Sequence, residues 1–333
     1  MAVQASAIAA APAREAPGLL GLSGFGFNRA QSIAFLVMLL LVVAGPFFLY
    51  PVLLMKLLCF ALFACAFNLL IGYVGLLSFG HAMFFGTGGY IAAHAAKIWG
   101  LTPELAILVG TAFGAVLGAV AGWIAIRRQG IYFAMITLAL AQMVYFFYLQ
   151  APFTGGEDGI QRVPRGALFG VIDLRPDMAI YWVVAVIFLA GFLFISRVVH
   201  SPFGQVLKAI RENEPRAISL GYRVDDYKLL AFTLSAALAA LAGSAKAIVF
   251  GIATLTDVYW SMSGEVVLMT LLGGLGTVFG PVAGAAVIVL MQNQLAELGA
   301  WVTVIQGVIF VVCVLLFRAG IMGELGRLLK VRL

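Results

Sequence analysis

The sequence has very little charge. Asp, Glu, Lys and Arg make up only 10% of the 333 residues, whereas a soluble domain carries about 25%. The mean hydropathy is +1.09, so a water-soluble fold is excluded and almost the whole chain is expected to lie in a membrane. The apolar segments lack the alternation over about ten residues that marks a membrane β-strand. The spans are therefore expected to be helices, which satisfy their own backbone hydrogen bonds.

The sequence also lacks the motifs of catalysis and of nucleotide or metal binding. It contains no GxxxxGK[ST] phosphate loop, no HExxH and no CxxC pair. We therefore expect no enzyme activity, no cofactor and no metal site in this chain. The net charge of +6 follows the membrane topology, so no nucleic-acid partner is expected. Cys59, Cys65 and Cys313 lie in apolar surroundings and are expected to be small buried residues.

A series of apolar segments is present instead, most of them close to the 20 or so residues that cross a bilayer. The third, eighth and ninth are short or interrupted by glycine. Residues 31–320 are expected to form a single transmembrane domain, between a flexible tail at 1–30 that lacks a secretory-signal pattern and a C-terminal tail at 321–333. The segments predict an all-α, polytopic transmembrane helical bundle of about ten spans: 32–49, 52–71, 82–96, 104–126, 131–150, 178–196, 228–254, 264–280, 282–298 and 300–317.

The distribution of positive charge predicts the orientation. If the ten spans alternate from a cytoplasmic N-terminus, fourteen Lys and Arg residues lie on the cytoplasmic side and four on the other side. This is the asymmetry that the positive-inside rule requires. Both termini and the polar segment 201–227 are therefore expected in the cytoplasm, and the loop 151–177 on the outer side.

The order of the spans predicts an internal repeat. Five spans precede the loop 151–177 and five follow it, so the second half would be inverted relative to the first. Glycine interrupts the segments 72–89 and 271–284. A 5+5 inverted repeat with such broken helices is typical of transporters, where the broken segments flank the substrate path.

Glycines also recur at a spacing of four, which places them on one helical face where another backbone can approach closely. Two interpretations stay open: a face along which helices slide during transport, and static helix packing. The two series are Gly110, Gly114, Gly118, Gly122 and Gly276, Gly280, Gly284.

The segment 201–228 is the only long polar stretch between apolar segments, and it holds nine of the 34 charged residues. Apolar residues at helical spacing predict a short amphipathic helix over 203–213. Pro215 fits the first turn of a second helix, at about 215–220. Gly221 fits the cap that ends this helix. A membrane protein with such a polar pair of helices on one side is expected to offer it to a soluble partner.

This segment carries a family resemblance. Glu214-Pro215-Arg216-Ala217-x-x-x-Gly221 resembles the EAA-x-x-x-G cytoplasmic loop of ABC importer permeases, although Pro215 replaces the first Ala and Arg216 is displaced into the motif. SPFGQVLKAIRENEPRAISLGY, GYVGLLSFGHAMFFGTGGY, TGGEDGI and LLGGLGTVFGPVAGA are similar to motifs of the permeases of the high-affinity branched-chain amino-acid importer. The resemblance covers about residues 50–320 and fits the longer of that importer's two related permeases.

The resemblance implies a bacterial inner-membrane complex. It contains a paralogous permease, two ABC ATPase subunits that bind and hydrolyse ATP, and a periplasmic binding protein that delivers branched-chain or related amino acids. The present chain would then form the translocation path within the lipid bilayer.

Three sets of candidate site residues follow. Residues expected to couple the chain to an ATPase are Arg211, Glu212, Glu214, Ala217, Leu220 and Gly221. Residues expected along the translocation path are His81, Gly86, Gly89, Gln142, Lys246, Gly274 and Gly276. Residues expected to contact the binding protein are Glu157 and Asp158.

Each set has a plainer interpretation. The polar segment could be a solvated loop or an amphipathic helix bound to the lipid surface. His81 could pin a broken helix by hydrogen bonding, and Lys246 could extend to water near the outer surface. Glu157 and Asp158 could belong to a turn that ends the fifth span.

Two other functional classes stay open at this point. An ion- or proton-coupled secondary transporter would need an acidic or ionic site in mid-span, and Glu265 and Glu297 lie near predicted span ends. A membrane enzyme would need a set of catalytic groups. The sequence names neither the substrate, which could be an amino acid, an amide or urea, nor whether the second permease is a paralogue or another copy.

Overall fold

The computed structural model describes residues 29–170, 172–296 and 320–329, together with 301, 304–305, 307–308 and 311–312. Its α-helices are α1 (Arg29–Phe48), α2 (Pro51–Tyr73), α3 (His81–Lys97), α4 (Pro103–Ala125), α5 (Ile131–Gln150), α6 (Asp177–His200), α7 (Pro202–Glu212), α8 (Glu214–Ser219), α9 (Val224–Phe250), α10 (Trp260–Gly273), α11 (Gly280–Gln294) and α12 (Gly320–Leu329). Two antiparallel pairs of short strands join β1 (Ile160–Gln161) to β4 (Ile252–Ala253) and β2 (Ala167–Leu168) to β3 (Ile172–Asp173).

The fold is an all-α polytopic bundle. Within the described residues, six helices are long and apolar enough to cross a membrane: α1, α2, α4, α5, α6 and α9. The helices α3, α10 and α11 have 17, 14 and 15 residues. At 1.5 Å per residue they extend about 21–26 Å, less than the roughly 30 Å of a hydrocarbon core.

Several predicted boundaries were wrong. The predicted span 264–280 ends early, because α10 stops at Gly273 and Gly274 has a φ of +120° that no helix accommodates. The predicted tail 1–30 already includes the start of α1 at Arg29. The predicted loop 201–227 ends at Val224, where α9 begins. Most of the tenth predicted span, 300–317, and most of the N-terminal tail lie outside the described residues.

Two helices form the centre of the bundle. Apart from Lys56 and Asn68, the helix α2 is apolar on every side and is buried along most of its length, as expected for a helix surrounded by others. The helix α9 is lined with Ala and Gly, and it packs against α2, α3 and α4. Large apolar side chains of α1, α4 and α5 point outward, among them Leu40, Val116 and Phe146. Such a surface suits lipid.

The glycine series of α4 explains its close contact with α9. A Cβ atom at Gly114 would lie 2.1 Å from the Cβ of Ala240, and one at Gly118 would lie 2.3 Å from the Cβ of Ala236. The second series brings α10 and α11 together in the same way, since a Cβ at Gly284 would lie 1.8 Å from the carbonyl oxygen of Met269. In this structure both series are close packing faces.

The two ends of the bundle differ. The end that carries residues 151–176 is here called the loop end, and the end that carries the α7–α8 hairpin is called the hairpin end. At the loop end, the Arg165 guanidinium donates to the carbonyl oxygen of Val249 at 2.9 Å and forms an ion pair with Asp177 at 2.7 Å. Together with the β1–β4 pairing, these bonds fasten the loop to the ends of α6 and α9.

Three connections enter the bundle instead of lying at its surface. The segment 74–80 leads to His81, whose Nε2 lies 2.9 Å from Ser235 Oγ in the middle of α9. The segment 274–279 joins α10 to α11. In the segment 251–259, Val258 packs against Gly86, which lies eleven residues before the end of α3. The segment therefore reaches about 16 Å inward from the loop end.

Candidate functional site

The α7–α8 hairpin forms where the sequence predicts it, from local capping signals. Ser201 Oγ accepts a hydrogen bond from the Gly204 N–H at 3.3 Å and starts α7, and Asn213 Oδ1 accepts from the Arg216 N–H at 3.0 Å and starts α8. Gly221 has a φ of +88°, and the following Tyr222 N–H donates to the Ala217 carbonyl oxygen at 3.2 Å. This is the left-handed cap that was predicted for Gly221.

One face of the hairpin packs inward. Leu207, Ile210 and Ala217 are buried. Ile210 and Ala217 form a small apolar cluster with Val224 at the start of α9. Ala217, a predicted coupling residue, therefore holds the two short helices together and does not reach the hairpin surface.

Glu214 is also turned inward. One of its carboxylate oxygens accepts from Lys228 Nζ on α9 at 2.7 Å and from Gln129 Nε2, between α4 and α5, at 2.8 Å. The Lys228 side chain is only 3% exposed. Moving Glu214 away from Lys228 would leave a buried charge unpaired, which is costly. The ion pair therefore holds α8 against the bundle.

Arg211 connects the hairpin to both interrupted segments. Its Nη1 donates to the carbonyl oxygen of Gly72, near the end of α2. The same nitrogen packs against the α-carbon of Gly276, between α10 and α11. Asn68, one turn before Gly72, donates to the Thr277 carbonyl oxygen at 2.9 Å and accepts from the Gly276 N–H at 3.0 Å. A single chain of contacts thus runs from α7 through α2 to the 274–279 segment.

A cavity of about 360 Å³ lies beside this chain of contacts and is lined by Tyr73, Lys208, Arg211, Glu212 and Gly276. The Lys208 ammonium is 5.7 Å from the centre of the Tyr73 ring. Partial burial lowers the pKa of Lys208. Two cations, Lys208 and Arg211, and the carboxylate of Glu212 thus line the cavity next to the backbone interruption at Gly276.

The other face of the hairpin is exposed and partly apolar. Leu220, which follows α8, is 69% exposed and Ile218 on α8 is 57% exposed, and the side chain of Arg216 on α8 is exposed as well. Ile218 was not among the predicted coupling residues. The sequence could have indicated it, since Ile218 is a large apolar residue about 100° around α8 from the buried Ala217.

The predicted path residues of α3 are buried inside the chain. The His81 imidazole is enclosed by Phe67, Phe84 and Phe232 at ring-centre distances of 5.0–5.9 Å, and its Nδ1 has no hydrogen-bond partner among the described residues. Gly86 makes room for Val258, and Gly89 makes room for α9 beside Gly243. None of the three is exposed at the surface of the described part of the chain.

The remaining predicted path residues are spread between the two ends. Gly274 and Gly276 both have positive φ and form the interruption at the hairpin end, whereas Gln142 lies half-buried on α5. Lys246 was predicted to line the path, with extension to water near the outer surface as the plainer interpretation; its ammonium forms an ion pair with Asp257 inside the bundle.

The predicted binding-protein contacts, Glu157 and Asp158, are both exposed at the loop end. Gly155, Gly156 and Gly159 around them have positive φ, which glycine adopts without strain. The acidic tip is thus a tight, exposed turn. Among the residues that the structure describes, no group of three or more His, Cys, Asp or Glu side chains is arranged to hold a metal ion.

Comparisons with known proteins give a consistent result. The family described as "Branched-chain amino acid transport system / permease component" matches residues 49–316. The high-affinity branched-chain amino acid transport system permease protein LivM of Escherichia coli (strain K12) is 27% identical over 263 residues, which cover 72% of this chain and 62% of that relative. The chain thus spans less than two thirds of the length of this relative.

Relatives with other names also match. The ribose import permease protein RbsC of Bacillus subtilis (strain 168) is 28% identical over 272 residues, or 73% of this chain and 81% of the relative. The autoinducer 2 import system permease protein LsrC of Klebsiella pneumoniae is 30% identical over 200 residues, or 57% of this chain and 56% of the relative. No solved structure gives a significant match.

Proposed function

Because the chain belongs to the branched-chain amino acid transport permease family, we propose that it is the membrane-spanning subunit of an ABC importer and forms part of the path for branched-chain or related amino acids. The observation that carries this proposal is the α7–α8 hairpin, which has one face anchored to the bundle and one exposed apolar face. The proposed partners are a paralogous permease, two ATPase subunits that hydrolyse ATP, and a periplasmic binding protein.

The proposed placement is the bacterial inner membrane, with about ten spans arranged as two inverted halves of five, and with both termini and the hairpin end in the cytoplasm. The distribution of Lys and Arg supports this orientation. The hairpin end is then the side where ATP is found, and the acidic tip at the loop end faces the binding protein.

The contacts of Arg211 suggest how ATP binding reaches the path. A movement of the hairpin by the ATPase shifts Arg211, and with it the carbonyl of Gly72 and the segment at Gly276. Asn68 ties this segment to α2. The inner ends of α2, α10 and α11 therefore change position together, which provides the two-state element that coupled transport requires.

The exposed apolar face gives the test. In a double variant, Ile218→Glu and Leu220→Glu, we expect recovery of a P-loop ATPase with the tagged chain from native membranes to fall at least about tenfold, since the charges cannot be desolvated in an apolar contact. Phe169→Glu, at an equally exposed apolar residue of the loop end, is the control and should leave recovery unchanged. Unchanged recovery in the double variant would contradict the proposal.

A second candidate is an ion- or proton-coupled carrier, because the bundle contains Asp257 and Glu265. Uptake by membrane vesicles separates the two. An ABC importer needs ATP and persists without an ion gradient, whereas a coupled carrier needs the gradient and persists without ATP.

A further inference from the structure

Four charged side chains lie together inside the bundle, toward the loop end, and are here called the charged quartet: Lys56 on α2, Lys246 on α9, Asp257 before α10, and Glu265 on α10. Lys56 and Glu265 each lie five residues after the start of their helices, and Lys246 lies four residues before the end of its helix. The quartet contains two positive and two negative charges. Charges at this depth are costly unless they have a partner or a use.

Two members of the quartet form an ion pair with each other. The Lys246 ammonium is bonded to an Asp257 carboxylate oxygen, and their side chains are 17% and 10% exposed. The ammonium also lies 5.8 Å and 5.7 Å from the ring centres of Phe60 and Phe85. This pair is neutral as a unit and holds the 251–259 segment against α9.

The other two members are half-buried and belong to no ion pair in the part of the chain that the structure describes. Lys56 Nζ lies 5.9 Å from the centre of the Phe60 ring. Glu265 accepts one hydrogen bond, from the neutral amide of Gln292. Lys56 and Glu265 are close enough to influence each other electrostatically, and the Lys246–Asp257 pair influences both. An unpaired cation and an unpaired anion thus lie near one another.

The space beside Gly264, which precedes Glu265 in α10, is open. A glycine inside a helix costs about 1 kcal/mol relative to alanine, and most helical glycines of this chain allow a neighbouring backbone or side chain to approach. Gly264 is different: a Cβ atom there would meet no described atom within 4 Å. Packing among the described residues therefore does not explain why position 264 is a glycine. A glycine there is explained if the space has to admit a passing molecule.

We propose that Lys56 and Glu265 form a binding site for the zwitterionic group of an α-amino acid. The Lys56 ammonium binds the α-carboxylate, the Glu265 carboxylate binds the α-ammonium, and the open space beside Gly264 admits the rest of the molecule. This inference rests on the proposed transport function and names the substrate chemistry that the path itself recognises.

The charges decide among ligand classes. A neutral sugar would leave both Lys56 and Glu265 without an ionic partner, and a simple anion would leave Glu265 uncompensated. A zwitterion supplies one charge of each sign and neutralises both groups at once. The site thus favours amino acids over a sugar such as the ribose carried by one of the relatives.

The test measures binding to the purified permease complex in detergent at pH 7, without the binding protein, by equilibrium dialysis. The probes are leucine, leucinamide, which lacks the carboxylate charge, and 4-methylpentanoate, which lacks the ammonium. The native complex should bind leucine at least about tenfold more tightly than either analogue. Lys56→Met should weaken the binding of leucine to the level of leucinamide and leave the binding of leucinamide unchanged. Glu265→Gln should weaken the binding of leucine to the level of 4-methylpentanoate and leave the binding of 4-methylpentanoate unchanged.

Controls separate a binding role from a structural one. Lys97→Met removes a cation of the loop end that is bonded to the Gln161 carbonyl oxygen, outside the quartet, and should preserve the preference for leucine. The charge-reversed double variant, Lys56→Glu with Glu265→Lys, should also preserve it, because the zwitterion can bind in the opposite sense. A purely structural loss would lower binding of all three probes equally.

The proposal is overturned if the native complex takes up leucine with the binding protein and ATP but binds all three probes equally or not at all. It is also overturned if Lys56→Met and Glu265→Gln leave the preference for leucine intact. Failure of the proposed function is a different result, namely absence of ATP-dependent uptake by the native complex.

Discussion

At the scale of the residue, the sequence predicts features that depend on neighbouring residues better than contacts between residues that are far apart in the chain. Gly221 was identified correctly because a helix cap is determined by neighbouring residues. The inward bond of Arg211 was not foreseen, because Gly72 lies 139 residues away in the chain. The Lys246–Asp257 pair was missed for another reason: the sequence did not reveal that the segment after α9 turns back into the bundle.

Gly221 gives a prediction at this scale. Gly221→Ala places a side chain at a φ of +88°, which costs about 1–2 kcal/mol, although there is open space around the position. We expect a partly unfolded α8 and at least a fivefold loss of ATP-stimulated uptake, with normal amounts of protein in the membrane.

Gly221→Asn is the matched variant, because asparagine adopts the left-handed conformation more readily than alanine. Its uptake should lie between those of the native chain and Gly221→Ala. Equal uptake in all three proteins would show that the cap is not needed for coupling.

At the scale of the element, apolar runs predicted that helices exist but not how deep they begin. The start of α3 lies inside the bundle, where His81 contacts Ser235 and the Ala82 N–H donates at 2.9 Å to Ser263 Oγ in the first turn of α10. Composition does not distinguish a full span from a helix that starts in mid-membrane, since both are apolar. The breaks themselves were visible as glycines, because positive φ there requires them.

The α4–α9 contact gives the prediction for this scale. Gly114→Leu inserts a side chain where even a Cβ atom would lie 2.1 Å from Ala240. Overpacking of this kind costs about 1–3 kcal/mol or more, so we expect the midpoint of thermal unfolding in detergent to fall by several degrees.

The control is Val116→Leu, two residues along the same helix and pointing outward. It should unfold at the native temperature. A Gly114→Leu protein as stable as the native chain would mean that α4 and α9 are free to separate.

At the scale of the whole molecule, the hairpin, α2 and the 274–279 segment form one connected unit through Arg211 and Asn68. The family and the general architecture could be predicted from sequence, because the motifs are contiguous. The division of the hairpin into an anchored face and an exposed face could not, since it depends on Lys228 and Gln129 reaching Glu214 from other elements.

Arg211→Ala tests this unit. The exposed face of the hairpin is unchanged, so the ATPase should still bind and hydrolyse ATP, but movement no longer reaches Gly72 and Gly276. We expect the number of amino acids taken up per ATP hydrolysed to fall at least about fivefold in proteoliposomes.

Arg223→Ala serves as the comparison, because its ion pair with Asp226 is exposed and such pairs contribute little. Its transport stoichiometry should match the native value. A normal stoichiometry in Arg211→Ala would show that the hairpin communicates with the bundle by another route.

The pairing of β1 with β4 has a mechanical consequence. Only Gly159 lies between the acidic turn at Glu157 and Asp158 and β1, and β4 is followed within four residues by Asp257. The strand pair therefore connects the acidic turn to Asp257 through short stretches of chain on either side. A force applied to the turn from outside is delivered to the bond between Asp257 and Lys246, which lies four residues before the end of α9.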